Sequence, residues 1–578
     1  MSEAREERQS RATRLRMSWR RLATVQGAIT AVVMLGCGAL VLYPVLFLLL
    51  ESFNTGDPIA FPPEQLGLGN YRDLALDLHI VGNTVFVACL ATVMAVGFGF
   101  LLAWTLSRTD IPGRRLLERM IELPYYMTPL VGALAWSVLA GPKNGFFNQL
   151  WRLAGGQGDL LNANTAFGIA WVMAFFEGTV AFMIISPAMK SMDPALEESS
   201  RILGRSKLNT MLGITLPLVA PAVLGSAVFV FAEMLGSFAA ALVLGLPARF
   251  YVITTAIFES TFSYPPEYAR AAAMGFALFG VMFVMFSFYR RIASRGVHTT
   301  ITGTAFRPRA MAMRRWRWVL VAGCWLYVFL AVILPMSALL LTSFQRFATV
   351  MMRESVFTLA NYRTALQLGP IRTALMNSVF LGVSVATVGV LIMTLLVWII
   401  YRSKVPGRGP IEYLIMFPQA VPRMVFGLAM LWAWLNIPVP IYGTLWLLAL
   451  AYFTVLLPLG VRTLAVVILQ IDRSLEECAR MCGASWVYQL RTVTMPLLRP
   501  GIIAAWLLIF MASVREVGAS IFLMGPNSKV IGPSIISSWM SSGTELTAAM
   551  ALIQTVTVLI ALAILLRSMT KISGEHQW

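Results

Sequence analysis

Charged side chains are scarce in this sequence: they make up 12% of its 578 residues, against 58% that are hydrophobic. A soluble domain carries about 25% charged residues. A large chain with far fewer cannot cover its surface with polar groups. Three or four soluble domains, the ordinary reading of this length, are therefore excluded, and the mean hydropathy of +0.74 agrees. The chain reads as a polytopic integral membrane protein. Histidine is nearly absent too: His79, His298 and His576 all fall outside the apolar runs, which argues against metal or haem chemistry inside a membrane. Five cysteines, Cys37, Cys89, Cys324, Cys478 and Cys482, are scattered and make no disulfide framework. Cys478 and Cys482 lie four apart but have no third thiol or histidine nearby, so they read as small helix residues, not metal ligands. No G-x-x-x-x-G-K-[ST] phosphate loop and no H-E-x-x-H helix occur, and three extramembrane histidines offer no Ser/His/Asp set. No catalytic residue, cofactor or metal site is expected on this chain.

A formal net charge of +18 would suggest nucleic-acid binding in a soluble protein. Here the basic residues fall between apolar runs, as the positive-inside rule expects. The partner they imply is the bilayer, and no nucleic acid is expected. The first 21 residues hold seven arginines, and the run from Ala23 to Leu50 is too long for a cleavable signal. It predicts a retained span with its N-terminus in the cytoplasm. Apolar runs near the bilayer length of about 20 residues give twelve cores. These are 24–50, 82–106, 118–140, 166–189, 217–245 and 268–289, then 317–342, 374–400, 411–435, 443–468, 500–524 and 547–566. Arginine and lysine crowd the links near 107–119, 190–216 and 290–316, whereas Asp57, Glu64, Asp73, Asp77, Asp159, Glu259 and Glu267 lie in the opposite links. The first outer link of the second half departs from this, carrying Arg346, Arg353, Arg363 and Arg372. The balance predicts both termini inside.

The chain repeats itself. Ser52-Phe53 and Asn70-Tyr71 recur as Ser343-Phe344 and Asn361-Tyr362, and Arg108-Thr-Asp-Ile-Pro-Gly-Arg114 recurs as Arg402-Ser-Lys-Val-Pro-Gly-Arg408. Leu123-Pro124 recurs as Phe417-Pro418, and Pro217 as Pro496. Each half thus holds six spans, and an even number gives the two copies parallel topology. The expected fold is all-α, with about 12 transmembrane helices in two parallel six-helix halves. The expected divisions are a cytoplasmic tail 1–23, a first half 24–292, a basic cytoplasmic linker 293–316, a second half 317–568 and a tail 569–578.

Between spans four and five the first half reads Asp193-Pro-Ala-Leu-Glu-Glu-Ser-Ser-Arg-Ile-Leu-Gly204, running on to Ile214-Thr-Leu-Pro217. The second reads Asp472-Arg-Ser-Leu-Glu-Glu-Cys-Ala-Arg-Met-Cys-Gly483, running on to Val493-Thr-Met-Pro496. Glu198 to Gly204 to Pro217 and Glu477 to Gly483 to Pro496 keep identical spacings. Asp193 and Asp472 suit the N-cap, Pro194 the first helical position, and the paired glutamates the positive end of the helix dipole. Small residues follow, the glycine permits a sharp break, and the proline opens the next span. One such segment is as well read as a solvated connector; two with the same spacing are not.

These segments resemble the EAA loop of binding-protein-dependent ABC importer permeases, and both six-span halves fit that permease unit. The fused pair resembles the iron(III), thiamine and aminoalkylphosphonate branch, as do Leu235-Gly-Ser-Phe, Leu244-Gly245 and Arg515-Glu-Val-Gly-Ala-Ser520. Ser199-Ser200, Cys478 and Met495 depart from the pattern by small or apolar replacements. The resemblance implies a type I permease fold and a bacterial inner-membrane location. It implies two copies of a separate cytoplasmic ATPase, which bind the ATP and Mg, and a periplasmic substrate-binding protein. Glu197, Glu198, Gly204, Pro217, Glu476, Glu477, Gly483 and Pro496 become the expected ATPase-coupling residues. The fused architecture points to iron(III), with 2-aminoethylphosphonate, thiamine or a polyamine as alternatives within the class and a 12-helix major facilitator as the rival outside it. Of the intramembrane ionisable residues Glu177, Glu233, Arg423, Arg515 and Glu516, the candidates for a transport pathway are Glu233, Arg515 and Glu516. Arg423 could instead snorkel, and Arg515 could neutralise Glu516 locally.

Overall fold

A computed structural model describes residues 25–57, 62–295, 311–349, 357–403 and 408–575. The basic tail 1–23, most of the basic linker, Arg353, residues 404–407 and the last three residues lie outside them. The described residues form helices, with three isolated bridges in place of any sheet. Ten helices are long and apolar enough to cross a membrane, and three bent helix pairs also qualify as broken spans.

The bends are where the expected spans need revising. Core 118–140 is two helices, Arg114–Tyr126 and Pro129–Ala140, bent by 95°. Its counterpart 411–435 bends by 107° between Gly409–Ala420 and Arg423–Leu435. Pro124 and Pro129 bracket the first break, where Thr128 caps the second helix by accepting from the Val131 amide at 3.2 Å. Pro418 and Pro422 bracket the other. Core 217–245 ends at Leu235, and the following apolar residues fold back as Ala239–Ala248 and Ile253–Phe262, bent by 74°. Core 500–524 likewise ends at Val514 and is followed by the short helices Ser520–Leu523 and Ile531–Ser541. In both halves an Asn-hydroxyl pair pins the folded-back segment. Asn83 Nδ2 donates to the Tyr251 carbonyl at 3.1 Å and Thr84 Oγ1 accepts from the Ile253 amide at 2.8 Å. Asn377 Nδ2 donates to the Lys529 carbonyl and Ser378 Oγ accepts from the Ile531 amide, both at 2.8 Å. Each pin closes backbone groups that lipid could not satisfy.

Compactness does not follow chain order. One unit comprises 1–49, 373–533 and 557–578; the other comprises 50–372 and 534–556. The first span of each half is therefore mainly grouped with the bulk of the other half. In the second unit, helix Trp316–Val328 is held to the first half by Tyr327, whose hydroxyl donates to the Phe175 carbonyl at 2.6 Å and lies 3.1 Å from Thr179 Oγ1. Nearby, helices Leu78–Arg108 and Ala166–Ser191 cross at Gly99, where a Cβ would lie 2.6 Å from that of Ala181. Only a glycine permits that approach.

Candidate coupling site

Each repeated Glu-Glu segment folds as an elbow of two short helices. In the first, Asp193 accepts from the Ala195 amide at 2.9 Å and starts helix Pro194–Ile202. Gly204, at φ +82°, ends it with the paired closing bonds of a left-handed cap: its own amide to the Arg201 carbonyl at 3.0 Å, and that of Arg205 to the Ser200 carbonyl at 3.2 Å. Helix Lys207–Thr210 follows, then a wide π turn at Met211–Thr215, then the long helix Leu216–Leu235. The second elbow repeats each step. Asp472 caps Arg473–Met481 through the Ser474 amide at 2.9 Å, a bond that also holds its carboxyl below the usual carboxylate range. Gly483 at φ +81° ends the helix, and a π turn at Leu490–Thr494 leads into Met495–Val514. Pro217 and Pro496 sit two residues past these turns. A proline clashes with the carbonyl four residues back, and widening the preceding turn relieves it.

The glycine that permits each break is not there to avoid crowding. A Cβ at Gly204 or Gly483 would in fact meet nothing within 4 Å. These glycines supply a left-handed φ, not space.

The two glutamates of each pair face different ways, since neighbours stand about 100° apart around a helix. Glu198 is half-buried and Glu477 exposed on the elbow surface. Glu197 and Glu476 are only 3% and 2% exposed. Glu197 Oε2 lies 3.7 Å from Arg108 Nε, and Glu197 Oε1 accepts from Thr215 Oγ1 at 2.5 Å. Arg108 Nη2 also donates to the Met192 carbonyl at 2.9 Å. In the second elbow Arg402 Nε lies 3.8 Å from Glu476 Oε1, which accepts from Thr494 Oγ1 at 3.1 Å. Arg402 Nη2 donates to the carbonyls of Ile468, at 2.6 Å, and Ile471. Each latch joins the ends of three long helices to the elbow: span two through the arginine, span four through its terminal carbonyls, and span five through the π-turn threonine. The arginines and threonines were not singled out from the sequence. All four stand in the repeated motifs, so matched polar residues within the repeat were the available signal.

The intramembrane candidates divide. Glu516 is buried, pairs with Arg423 at 3.1 Å and also accepts from the Ala519 amide at 3.1 Å. Arg423 is the first residue after the 107° break, and its side chain is about half exposed. Arg515 and Glu233 are half-buried. Glu233 belongs to the other compact unit.

Residues 95–296 and 398–573 match the family described as "Binding-protein-dependent transport system inner membrane component". Each match holds one complete elbow and its arginine. The chain is 26% identical over 512 residues to the ferric transport system permease protein FbpB of Actinobacillus pleuropneumoniae, covering 86% of this chain and 71% of that one. It is 27% identical over 504 residues to the putative ferric transport system permease protein FbpB 1 of Haemophilus influenzae, covering 85% and 76%. It is also 29% identical over 269 residues to the sulfate transport system permease protein CysT of Salmonella typhimurium, covering 45% of this chain but 94% of that one.

Proposed function

Since this chain belongs to the binding-protein-dependent transport system inner membrane component family and carries its domain twice, we infer that it is the complete membrane pathway of an ATP-driven iron(III) importer. The duplicated elbow, with the same buried Arg–Glu–Thr latch in each copy, is the observation that carries this reading. The fused relatives named for ferric transport support iron(III) as cargo. A major facilitator has no place in this family, and that rival is set aside.

Each elbow docks on one of two separate cytoplasmic ATPase subunits, with Glu198 or Glu477 at the contact and Glu197 or Glu476 within. ATP-driven closure moves the elbows, and the buried latch passes that motion to the ends of three spanning helices at once. Loss of one partner from a buried ion pair costs about 3–5 kcal/mol, so the latch moves as a unit. Both termini lie in the cytoplasm, and a periplasmic binding protein delivers the cargo from the other side. Glu233, Arg515 and Glu516 are the polar groups assigned to the pathway, and Arg423 joins them through its pair with Glu516.

Reconstitution in proteoliposomes tests the reading. The chain alone hydrolyses no ATP. Adding the ATPase subunits gives hydrolysis that rises further with iron(III)-loaded binding protein, and radioactive iron accumulates inside. Hydrolysis by the chain alone, or uptake driven by a proton gradient without ATP, overturns it.

A further inference from the structure

The links that open the two halves fold into the same knot. In the first, Ser52 Oγ lies 2.7 Å from the Tyr71 hydroxyl, and Asn70 Nδ2 donates to the carbonyls of Ser52 at 3.2 Å and Asn54 at 2.7 Å. The Phe53 and Tyr71 rings sit 5.3 Å apart at 47°, and Asn54 bridges Leu66. In the second, Ser343 Oγ lies 2.8 Å from the Tyr362 hydroxyl, and Asn361 Nδ2 donates to Ser343 at 2.9 Å and Gln345 at 2.8 Å. The Phe344 and Tyr362 rings sit 5.3 Å apart at 45°, and Gln345 bridges Phe357.

One scaffold carries two opposite charges. Around the first knot, Asp57, Glu64, Asp73, Asp77 and Glu267 outweigh Arg72 and Arg270, the latter paired with Asp77 and Glu267. Asp73 and Asp77 line an open cavity of about 470 Å³ together with Glu267 and Arg270. Around the second stand Arg346, Arg363 and Arg372, all exposed, and they outnumber Glu545, whose carboxylate accepts from the Ala348 amide at 2.7 Å. Among the described residues neither Asp73 nor Arg363 lends its side chain to closing its knot, and Arg363 Nε donates to its neighbour Gln367 at 3.2 Å. The fold therefore does not explain the sign of either. Loops on the inner side of the membrane gather basic charge, but the second knot lies on the other side in the topology proposed above, so the positive-inside bias does not explain it.

We propose that the two knots are landing pads for the periplasmic binding protein and that their opposite sign decides which way round it lands. A binding protein has two domains that close on their ligand. Pads of one sign would receive such a partner in either orientation. An acidic and a basic pad admit one, because the reversed complex sets like charges together. The matching partner presents a basic surface to the first pad and an acidic surface to the second.

This inference rests on the importer reading, which puts both pads in the periplasm, and the test separates the two. The chain and its ATPase are placed in nanodiscs, and the association rate of the binding protein that stimulates hydrolysis is measured at low and high salt. Asp73→Lys and Arg363→Glu each slow association about tenfold at low salt. The difference vanishes at high salt, and Asp73→Asn and Arg363→Gln slow it less. The double inversion favours the reversed landing, so association recovers in part while stimulation of hydrolysis by the binding protein does not. Wild-type rates in both inversions overturn the proposal, as does slowing that persists at high salt. A wild-type complex that captures no binding protein overturns the importer reading itself, as does a cysteine at Glu64 that labels only from the cytoplasm.

Discussion

The two elbows share a latch and differ in what braces it. In the first, Ser200 Oγ and Thr210 Oγ1 meet at 3.1 Å between the two short helices. In the second those positions are Ala479 and Gln489, and the brace is Arg480, which donates to Gln489 Oε1 at 3.0 Å and lies 3.9 Å from Glu476. Arg201, which stands where Arg480 does, is exposed and, among the described residues, makes no such pair. Glu476 therefore has two cationic neighbours and Glu197 one. What both copies keep is the link from elbow to three long helices; what varies is the packing between the short ones. On the coupling role proposed above, the tie to the spans carries the motion, and the brace needs only to hold shape.

The strongest test of that comparison removes the latch arginines. Arg108→Met leaves Glu197 buried with Thr215 alone, and an unpaired buried charge costs about 3–5 kcal/mol. Arg402→Met is expected to cost less, because Arg480 still faces Glu476. Thermal unfolding of the purified chain, read beside iron uptake, measures both; equal losses would mean that Arg480 contributes nothing. Next come the glycines. Gly204→Ala and Gly483→Ala force a side chain into the left-handed region, at about 1–2 kcal/mol each. Gly483→Leu should match Gly483→Ala, since the site is open. A much larger loss for leucine would restore crowding as the reason for the glycine. Smallest in stability are Glu198→Lys and Glu477→Lys, within about 0.5 kcal/mol of wild type as surface changes. Their effect should fall on co-purification of the ATPase and on uptake, which drop several-fold while the melting curve stays put. Unchanged co-purification and uptake in both would leave the elbows as connectors.

Much of this was legible in the sequence because it rests on local rules. Apolar length found the spans, paired spacing found the elbows, and Asp193 and Asp472 cap their helices as their residue type predicts. The bends at Thr128 and Pro422 were not legible, because the hydrophobic run continues through both and hydropathy carries no direction. The same blindness hid the breaks after Leu235 and Val514. Which glutamate of each pair turns inward depends on an arginine some 75–90 residues away, a distance no helical period crosses. Arg423 was visible as a charge in an apolar run, but its partner across 93 residues was not.

The described end of the linker between the halves lies against the first elbow and the end of span two. The Met311 amide donates to the Arg108 carbonyl at 2.7 Å, its own carbonyl accepts from Asp110 at 3.2 Å, and Lys207 Nζ donates to the Ala312 carbonyl at 2.5 Å. Half-length permeases made as separate chains can assort as like or unlike pairs. A single chain fixes the assortment at one of each, and a join stitched into one elbow marks that elbow as the first. Differences between the copies then carry no risk of mispairing. A charge reversed on one landing pad, or an arginine brace traded for two hydroxyls, can persist because every assembled pathway contains both versions.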